Sequence, residues 1–582
     1  VGRRLLTAAD DDVTLTSRFR AVRMARPARL AVDPRRVFAL ARRYQQVLLI
    51  AGVTGALTGL AVAAFDRLTG DVLLGGTLDL PVVAQAVVPA VGLVLAMVCL
   101  RYLGKGATAD TSDAYIQAFH DQGRRLPLGV VPARLLAAVA TLGSGGPLGY
   151  EGPSLYAGAA IGSALQRRLG RFFSVDEAKL LLGAGAGAGV AAIFKAPLTG
   201  MVFALEVPYQ DELAHRMLLP AAISAAASYV AFAALAGTEP ILPVSGQAPF
   251  NLVDLGGAAV VGLAAGVLAR GFIWIIRRAK ELSKHGHPVV RAVVAGSVLA
   301  ATVVLGHLVA DQALALGPGY RALRWALSPQ RSVLAIVALG TLRVAGTAAV
   351  VGGGGVGGLF IPLVIQGALV GRVVGAVFDT GNASLFPVVG MAAFLGAGYR
   401  VPLAAVVFVA EFTGRPGFVV PGLIGAVVAQ LVMGRASISP YQVAGRVGHL
   451  EKRLSLPLAT LVETEARTVP PDATVEEFFW QHLVGTRQRS VAVVDGSTYL
   501  GIARAEDLAR VERDQWATTT VADVMRTDVP VATTSWTVAD AIRAMDDADA
   551  DRLPVCDGSR FVGVIGADEI VKLDEILRRS SS

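Results

Sequence analysis

The spacing of hydrophobic positions divides the chain near residue 451. Before it, apolar stretches follow one another at 45–66, 82–102, 130–147, 154–165, 178–207, 217–236, 252–276, 289–314, 331–351, 359–378, 385–413 and 418–434. A helix needs about 20 apolar residues to cross a bilayer core. Several of these stretches are shorter, or are broken by glycine and proline. Helices that stop inside a membrane are tolerated only where protein buries them or where they line a wet cavity. The pattern predicts an all-α polytopic domain of broken helices over 44–450. After 451 the period shortens to that of strands. Thr474-Val475 opens an amphipathic helix, Ser490 to Asp495 reads as a strand, and Leu500-Gly501-Ile502 as another before a helix at Ala505. The same order recurs at Thr537-Val538, Leu553 to Asp557 and Phe561 to Ile565. That repetition predicts two small α/β units, 451–520 and 521–582.

Composition sharpens the class. Hydrophobic residues make up 54% of the chain, charged residues 17%, and mean hydropathy is +0.57. Soluble domains carry about 25% charge, so the helical part is a membrane domain. The net charge of +8 is uneven, with Arg3, Arg4, Arg18, Arg20, Arg23, Arg26, Arg29, Arg35, Arg36, Arg42 and Arg43 crowded into segment 1–43. Basic residues ahead of a first span mark the cytoplasmic side. Nucleic acid is not expected as a partner, because no recognition motif accompanies the arginines. Cys99 and Cys556 stand far apart, without metal-ligand spacing, so no disulfide framework or metal site is expected. No cleavable signal pattern precedes the first apolar stretch.

Within the apolar region the exceptional residue is Glu151, in Gly149-Tyr150-Glu151-Gly152-Pro153. A charge at mid-bilayer costs about 2.5–3.5 kcal/mol even on insertion scales, so it implies a partner or a pathway. Pro153 suits the first turn of a helix, and helix N-termini attract anions. A carboxylate there would compete with a mobile anion. The alternative is a neutralised Glu in a glycine-lined helix contact.

An internal repeat points the same way. Phe194-Lys195-Ala196-Pro197-Leu198-Thr199-Gly200 leads to Glu206, and Tyr399-Arg400-Val401-Pro402-Leu403-Ala404-Ala405 leads to Glu411. Upstream, Glu151-Gly152-Pro153 is answered by Phe360-Ile361-Pro362. Two halves with broken helices at matching places imply a binding site at the repeat interface. The run Gly183, Gly185, Gly187, Gly189 is read as close helix packing. Arg343, Arg372 and Arg400 are read as snorkelling or pairing with Glu206 or Glu411.

These motifs, in this order and with a late tyrosine, resemble the CLC family of chloride channels and chloride/proton exchangers over residues 45–450. The resemblance implies an inverted-repeat membrane fold in a homodimer, with one anion pathway per subunit and the N-terminus and tail cytoplasmic. It implies chloride and similar anions as cargo, with Glu151 as the gate. The amides of Leu359 and Phe360, with Gly152 beside Glu151, would face the anion, and the hydroxyl of Tyr441 in Ser439-Pro440-Tyr441 would donate to it. Two departures stand out. The family's first anion-facing loop has a serine; its nearest equivalent here is Gly104-Lys105-Gly106-Ala107-Thr108, with Lys105 in that place. The rival Gly143-Ser144-Gly145-Gly146-Pro147 lies only seven residues before Glu151. The second departure is Val207, directly after Glu206, where exchangers of the family carry an inward carboxylate. Val207 cannot hold a proton, so the expectation is channel-like chloride transport; proton-coupled exchange, with Glu206 as a substitute relay, is the alternative.

The tail resembles a pair of CBS domains, modules that often bind adenine nucleotides. The ribose-binding pattern is matched fully only by Asp507, in Arg504-Ala505-Glu506-Asp507; Gly566-Ala567-Asp568-Glu569 departs further. An adenine nucleotide is therefore an open expectation, and no other cofactor is expected. An enzyme is not expected, since no nucleophile–base pair or metal cluster occurs in the apolar region. A cation carrier would need several acidic pore ligands, and only one is present.

Overall fold

The computed structural model describes residues 34–566 apart from 122–125, 170–174, 245–250, 329–330, 379–381, 445–455, 486–488 and 549, with the side chains of 34–44 and 175–178 also left aside. The basic segment 1–43 thus lies almost wholly outside the described residues, as does most of Gly566-Ala567-Asp568-Glu569. Contacts divide the chain into two compact units, meeting between Gly445 and Arg446.

The first unit is helical. Its main helices are α1 (Pro34–Asp66), α2 (Val82–Val98), α3 (Ser112–His120), α4 (Val131–Gly143), α5 (Glu151–Arg168), α6 (Val175–Phe194), α7 (Pro197–Glu206), α8 (Leu218–Ala236), α9 (Leu252–Lys284), α10 (Pro288–Ala310), α11 (Tyr320–Ala326), α12 (Val333–Gly353), α13 (Phe360–Gly375), α14 (Leu385–Tyr399), α15 (Pro402–Thr413) and α16 (Val419–Met433). Among the described residues seven helical stretches are long and apolar enough to cross a membrane, including α9, α10 and α12. These carry exposed large apolar side chains such as Leu263, Val267, Trp274 and Val294, a surface suited to lipid. The short apolar helices sit inside them. Every residue of α14 is buried, and so are the first ten of α5.

The two long apolar stretches of sequence break where proline requires it. The run 178–207 splits at Lys195-Ala196-Pro197 into α6 and α7, and 385–413 splits at Arg400-Val401-Pro402 into α14 and α15. Lys195 (φ 53°) and Arg400 (φ 56°) take the same left-handed conformation at the matching break. That conformation costs roughly 1–2 kcal/mol for a residue with a Cβ. Each strained residue is anchored: Lys195 Nζ donates to the Ala236 carbonyl at 2.8 Å, and Arg400 pairs with Asp211 at 2.6 Å.

A ten-residue helix is only about 15 Å long, so the ends of α7 lie at membrane depth with unpaired amides. The repeat closes both helices reciprocally. Glu206, at the end of α7, accepts from the Leu403 and Ala404 amides of α15 at 3.1 and 2.7 Å. Glu411, near the end of α15, accepts from the Leu198 and Thr199 amides of α7 at 2.9 and 2.7 Å, and from Thr199 Oγ1 at 2.6 Å. The two helices are therefore antiparallel, and the halves are inverted.

Glycine makes the paired contacts in each half. A Cβ on Gly158 would meet the Gly185 carbonyl at 2.0 Å, and one on Gly367 would meet the Gly390 carbonyl at 2.1 Å. The packing read for Gly185 thus recurs in α13 and α14. Two of the three arginines, Arg343 and Arg400, depart from expectation. Arg343 is 2% exposed and donates to the carbonyls of Leu314, Gly317 and Pro318, tying down the loop before α11. Arg400 pairs with Asp211 rather than with Glu206 or Glu411, whose carboxylates are taken by helix ends.

The second unit holds one six-stranded sheet in the order β1-β2-β3-β6-β5-β4. The strands are β1 (Thr468–Val469), β2 (Ser490–Asp495), β3 (Thr498–Arg504), β4 (Ala532–Thr533), β5 (Arg552–Asp557) and β6 (Arg560–Gly566). Each half has a parallel pair followed by a hairpin, with a register shift at Val493/Val494 and again at Val555/Cys556. Thr474 and Thr537 both form capping boxes, the second opening α17 (Val538–Asp547). The sequence boundary at 520/521 does not separate self-contained units, because the lead segments are exchanged. The Leu458 amide donates to the Trp536 carbonyl in the second half, and the Val521 amide of the second half donates to the Ala473 carbonyl in the first. The helix expected at Ala505 is a single 3-10 turn, Asp507–Arg510.

Candidate functional site

Two helix N-termini meet at the centre of the membrane unit. Gly149 and Gly358 exchange backbone hydrogen bonds of 2.8 and 2.7 Å, which brings the start of α5 against the start of α13. Glu151 is 3% exposed. Its Oε1 accepts from the Phe360 amide at 2.6 Å and from the Ile361 amide at 3.4 Å, while Oε2 has no hydrogen-bond partner among the described residues. The carboxylate therefore lies on the positive end of α13, where aligned peptide dipoles and free amides favour an anion. A Cβ at Gly358 would stand 2.0 Å from Oε1, so glycine is required for this approach. Gly152 packs against the Thr111 hydroxyl and Gly358 in the same way.

Beside this carboxylate lies a cavity of about 300 Å³, lined by Ser112, Leu148, Leu359, Tyr399 and Ile438 among others. Tyr399 is 4% exposed, with its ring 6.5 Å from Phe360 and 6.1 Å from Phe203. Its hydroxyl faces the Ser112 side chain and the Leu359 amide. Two hydroxyls and a helix-end amide thus converge on one wall. The cavity also meets Arg101, Lys284 and Arg291, and Lys280, which pairs with Asp113 at 2.6 Å and Asp110 at 3.6 Å. Arg134 fixes the loop that delivers Ser112, donating to the Thr108 carbonyl at 3.0 Å and to the Tyr156 hydroxyl at 2.8 Å.

Helix-end amides, hydroxyls and basic side chains around one cavity are chemistry that suits an anion, and the Glu151 carboxylate already lies on amides of this kind. Residues 91–434, more than half of the chain, match the family described as Voltage gated chloride channel. The chain belongs to that family. Residues 521–575 match a CBS domain. Among curated proteins, an H(+)/Cl(-) exchange transporter ClcA from Citrobacter koseri is 27% identical over 407 residues, covering 66% of this chain and 85% of that protein. Its counterpart from Salmonella arizonae is 26% identical with the same coverage. A slow cyanobacterial Cl-/H+ antiporter matches in structure with a TM-score of 0.59 at 21% identity, over 66% of this chain and 94% of that one. A eukaryotic CLC transporter matches with a TM-score of 0.57 at 18% identity, over 90% of this chain and 98% of that one. At such identities the structural matches establish the fold.

For this voltage gated chloride channel family member, the structure relocates two of the residues expected from sequence. Lys105 is exposed, in a left-handed turn (φ 51°) that ends the helix before it, where the Gly104 and Gly106 amides return to Cys99 and Leu100. The expected loop still lines the cavity through Gly106, Ala107 and Thr108, and the hydroxyls that join them there come from Thr111 and Ser112 just after it. Ser144 is no substitute, since its hydroxyl donates to the Thr141 carbonyl. Tyr441 is 40% exposed, outside the residues that line the cavity, and Tyr399 holds the inner place. A signal for Tyr399 was present in the repeat: it occupies the position of Phe194 in the first half, exchanging a phenyl for a phenol. Glu206 sits on the amides of α15, and Val207 beside it is buried with its carbonyl accepting from Gln442 at 2.9 Å. In the tail, Asp507 is buried, with Oδ1 3.4 Å from Arg510 and Oδ2 unpartnered among the described residues.

Proposed function

We propose that this protein exchanges chloride or a similar anion for protons across a membrane, with Glu151 as gate and outer proton carrier. The observation that carries the reading is the seat of the Glu151 carboxylate on the Phe360 and Ile361 amides. An ionised carboxylate there excludes the anion, and a protonated one gives up the charge that holds it. Ser112, Tyr399 and the Leu359 amide supply the anion's neutral donors. The exchange activity named for the ClcA relatives supports coupling over the channel-like expectation.

Val207 favours a second reading, uncoupled conduction, because the inner carboxylate of exchangers is missing. One experiment separates the two. Purified protein in liposomes is given an outward chloride gradient, with chloride efflux and external pH recorded together. Exchange predicts protons driven into the liposomes against their own gradient. A reversal potential set by the chloride gradient alone would establish uncoupled conduction instead.

The family resemblance supports a homodimer with the N-terminal segment and tail in the cytoplasm; cysteine labelling from each side tests the orientation. Buried Asp507, with one carboxylate oxygen unpartnered, supports an adenine nucleotide as the tail's ligand, with that oxygen receiving a ribose hydroxyl. Saturable thermal stabilisation of the full protein by ATP or AMP, lost in Asp507→Ala, checks it.

A further inference from the structure

Proton exchange needs a titratable group on the inner side, and neither Val207 nor Glu206 is suited to it. Val207 carries no proton, and Glu206 is committed to the Leu403 and Ala404 amides, as Glu411 is to those of α7. The segment that follows Val207 does meet a titratable side chain. His120 Nε2 lies 2.5 Å from the carbonyl oxygen of Pro208, the residue next to Val207. The ring is half-buried, stands edge-on to Tyr209 at 5.2 Å and to Phe119 at 5.3 Å, and is at the C-terminal end of α3. That nine-residue helix begins with Ser112 at the anion cavity. Between the two lies Tyr115, fully buried, with a hydroxyl that has no hydrogen-bond partner among the described residues.

The geometry points to His120 as the inner proton-loading residue, taking over the task of the carboxylate absent at Val207. This rests on the exchange reading above. Imidazole changes charge near neutral pH, which suits a group that must load and release a proton in each cycle. With Nε2–H donating to Pro208, the ring binds the incoming proton at Nδ1 and returns to neutral on passing it inward. The groups facing it are Tyr209 after α7, Phe119 on its own helix, and Lys179 of α6, whose Nζ lies 5.9 Å from the Phe119 ring and which acts on the imidazole electrostatically. Burial of the ring first, and the lysine in addition, favour release of the proton, while the hydrogen bond to Pro208 opposes it. One short helix thus presents the anion with a hydroxyl at its start and the proton with an imidazole at its end.

The test compares wild type, His120→Gln, His120→Gln with Val207→Glu, and His120→Glu as full-length protein in liposomes, recording chloride and proton movement together. Glutamine keeps a donor for Pro208 but cannot titrate, so chloride movement should persist while proton movement falls by about tenfold or more. Adding Val207→Glu should restore proton movement. Undiminished proton movement in His120→Gln overturns the assignment and leaves the exchange reading standing. A wild type that moves no protons uphill overturns both. Should glutamine abolish both fluxes through misfolding, His120→Glu decides: coupling retained with an acid-shifted midpoint supports the assignment, and an unshifted midpoint overturns it.

Discussion

Glu151 takes its importance from a neighbour with no side chain. Only a glycine at 358 lets the carboxylate reach the Phe360 amide, so the gate is a property of two repeat halves meeting. Acid should raise anion flux, since protonation removes the charge that holds Glu151 on α13. Glu151→Gln should be permissive at all pH values, which chloride efflux between pH 4 and 8 would check. Tyr399 gives a sharper contrast. A hydrogen bond to a charged group contributes about 1.5–3 kcal/mol, so Tyr399→Phe should weaken equilibrium chloride binding by roughly tenfold or more. Tyr441→Phe should leave it unchanged, and titration calorimetry distinguishes the pair. Glu151 and Phe360 were legible because glycine and proline bracket them in both halves. Ser112 was not, because it reaches the cavity through long-range packing; Tyr399 left only its place opposite Phe194 in the repeat as a signal, while Lys105 and Tyr441 lay in more familiar local patterns. His120 was invisible for the same reason: its contact with Pro208 spans 88 positions.

At the level of elements, ends matter more than middles. A helix that stops inside a bilayer must find acceptors for its free carbonyls and donors for its free amides within the protein. The nine-position spacing from Pro197 to Glu206 and from Pro402 to Glu411 was readable, but its purpose emerges only when the helices lie antiparallel. Glu206→Gln and Glu411→Gln should each lower the melting temperature of the detergent-solubilised protein. A carboxamide offers one acceptor and one donor to two amides, leaving one unpaired at a cost of about 1–3 kcal/mol. The tail's helices are capped differently, by Thr537 and Asp540 in the second half and by Thr474 and Glu477 in the first. Hydrogen bonds from the Thr537 hydroxyl and amide hold the Asp540 carboxyl below its ordinary value of 3.8. Its stabilising effect is complete above that value and is lost as pH falls through the lower folded one. Amide exchange over Val538–Asp547 in the full protein should therefore show loss of protection, corrected for intrinsic rates, only at strongly acid pH. Loss already at pH 6 would contradict it.

For the whole molecule, the division near 450 and the tandem character of the tail were plain in hydrophobic period alone, and the membrane class was plain in composition. The inversion of the halves was not, because a repeat in sequence fixes order but not direction. The exchange of lead segments within the tail was hidden too, since Leu458 and Val521 each look local to the half in which they lie. This architecture bears on what the tail can control. Among the described residues, every group that lines the cavity, from Ser112 to Tyr399 and the Leu359 amide, belongs to residues before 445, as does Glu151 beside it. Selectivity depends on differences in binding energy among anions at those groups, and the tail contributes none of them. Gating is another matter, because a ligand that prefers one state of the tail can shift the populations of a connected unit. Removing residues 451–582 should therefore alter the rate or nucleotide response of transport while leaving the chloride, bromide and nitrate preference as it was. Bi-ionic reversal potentials of the truncated and complete proteins make the comparison, and a changed anion sequence after truncation would show that the tail helps to shape the pathway itself.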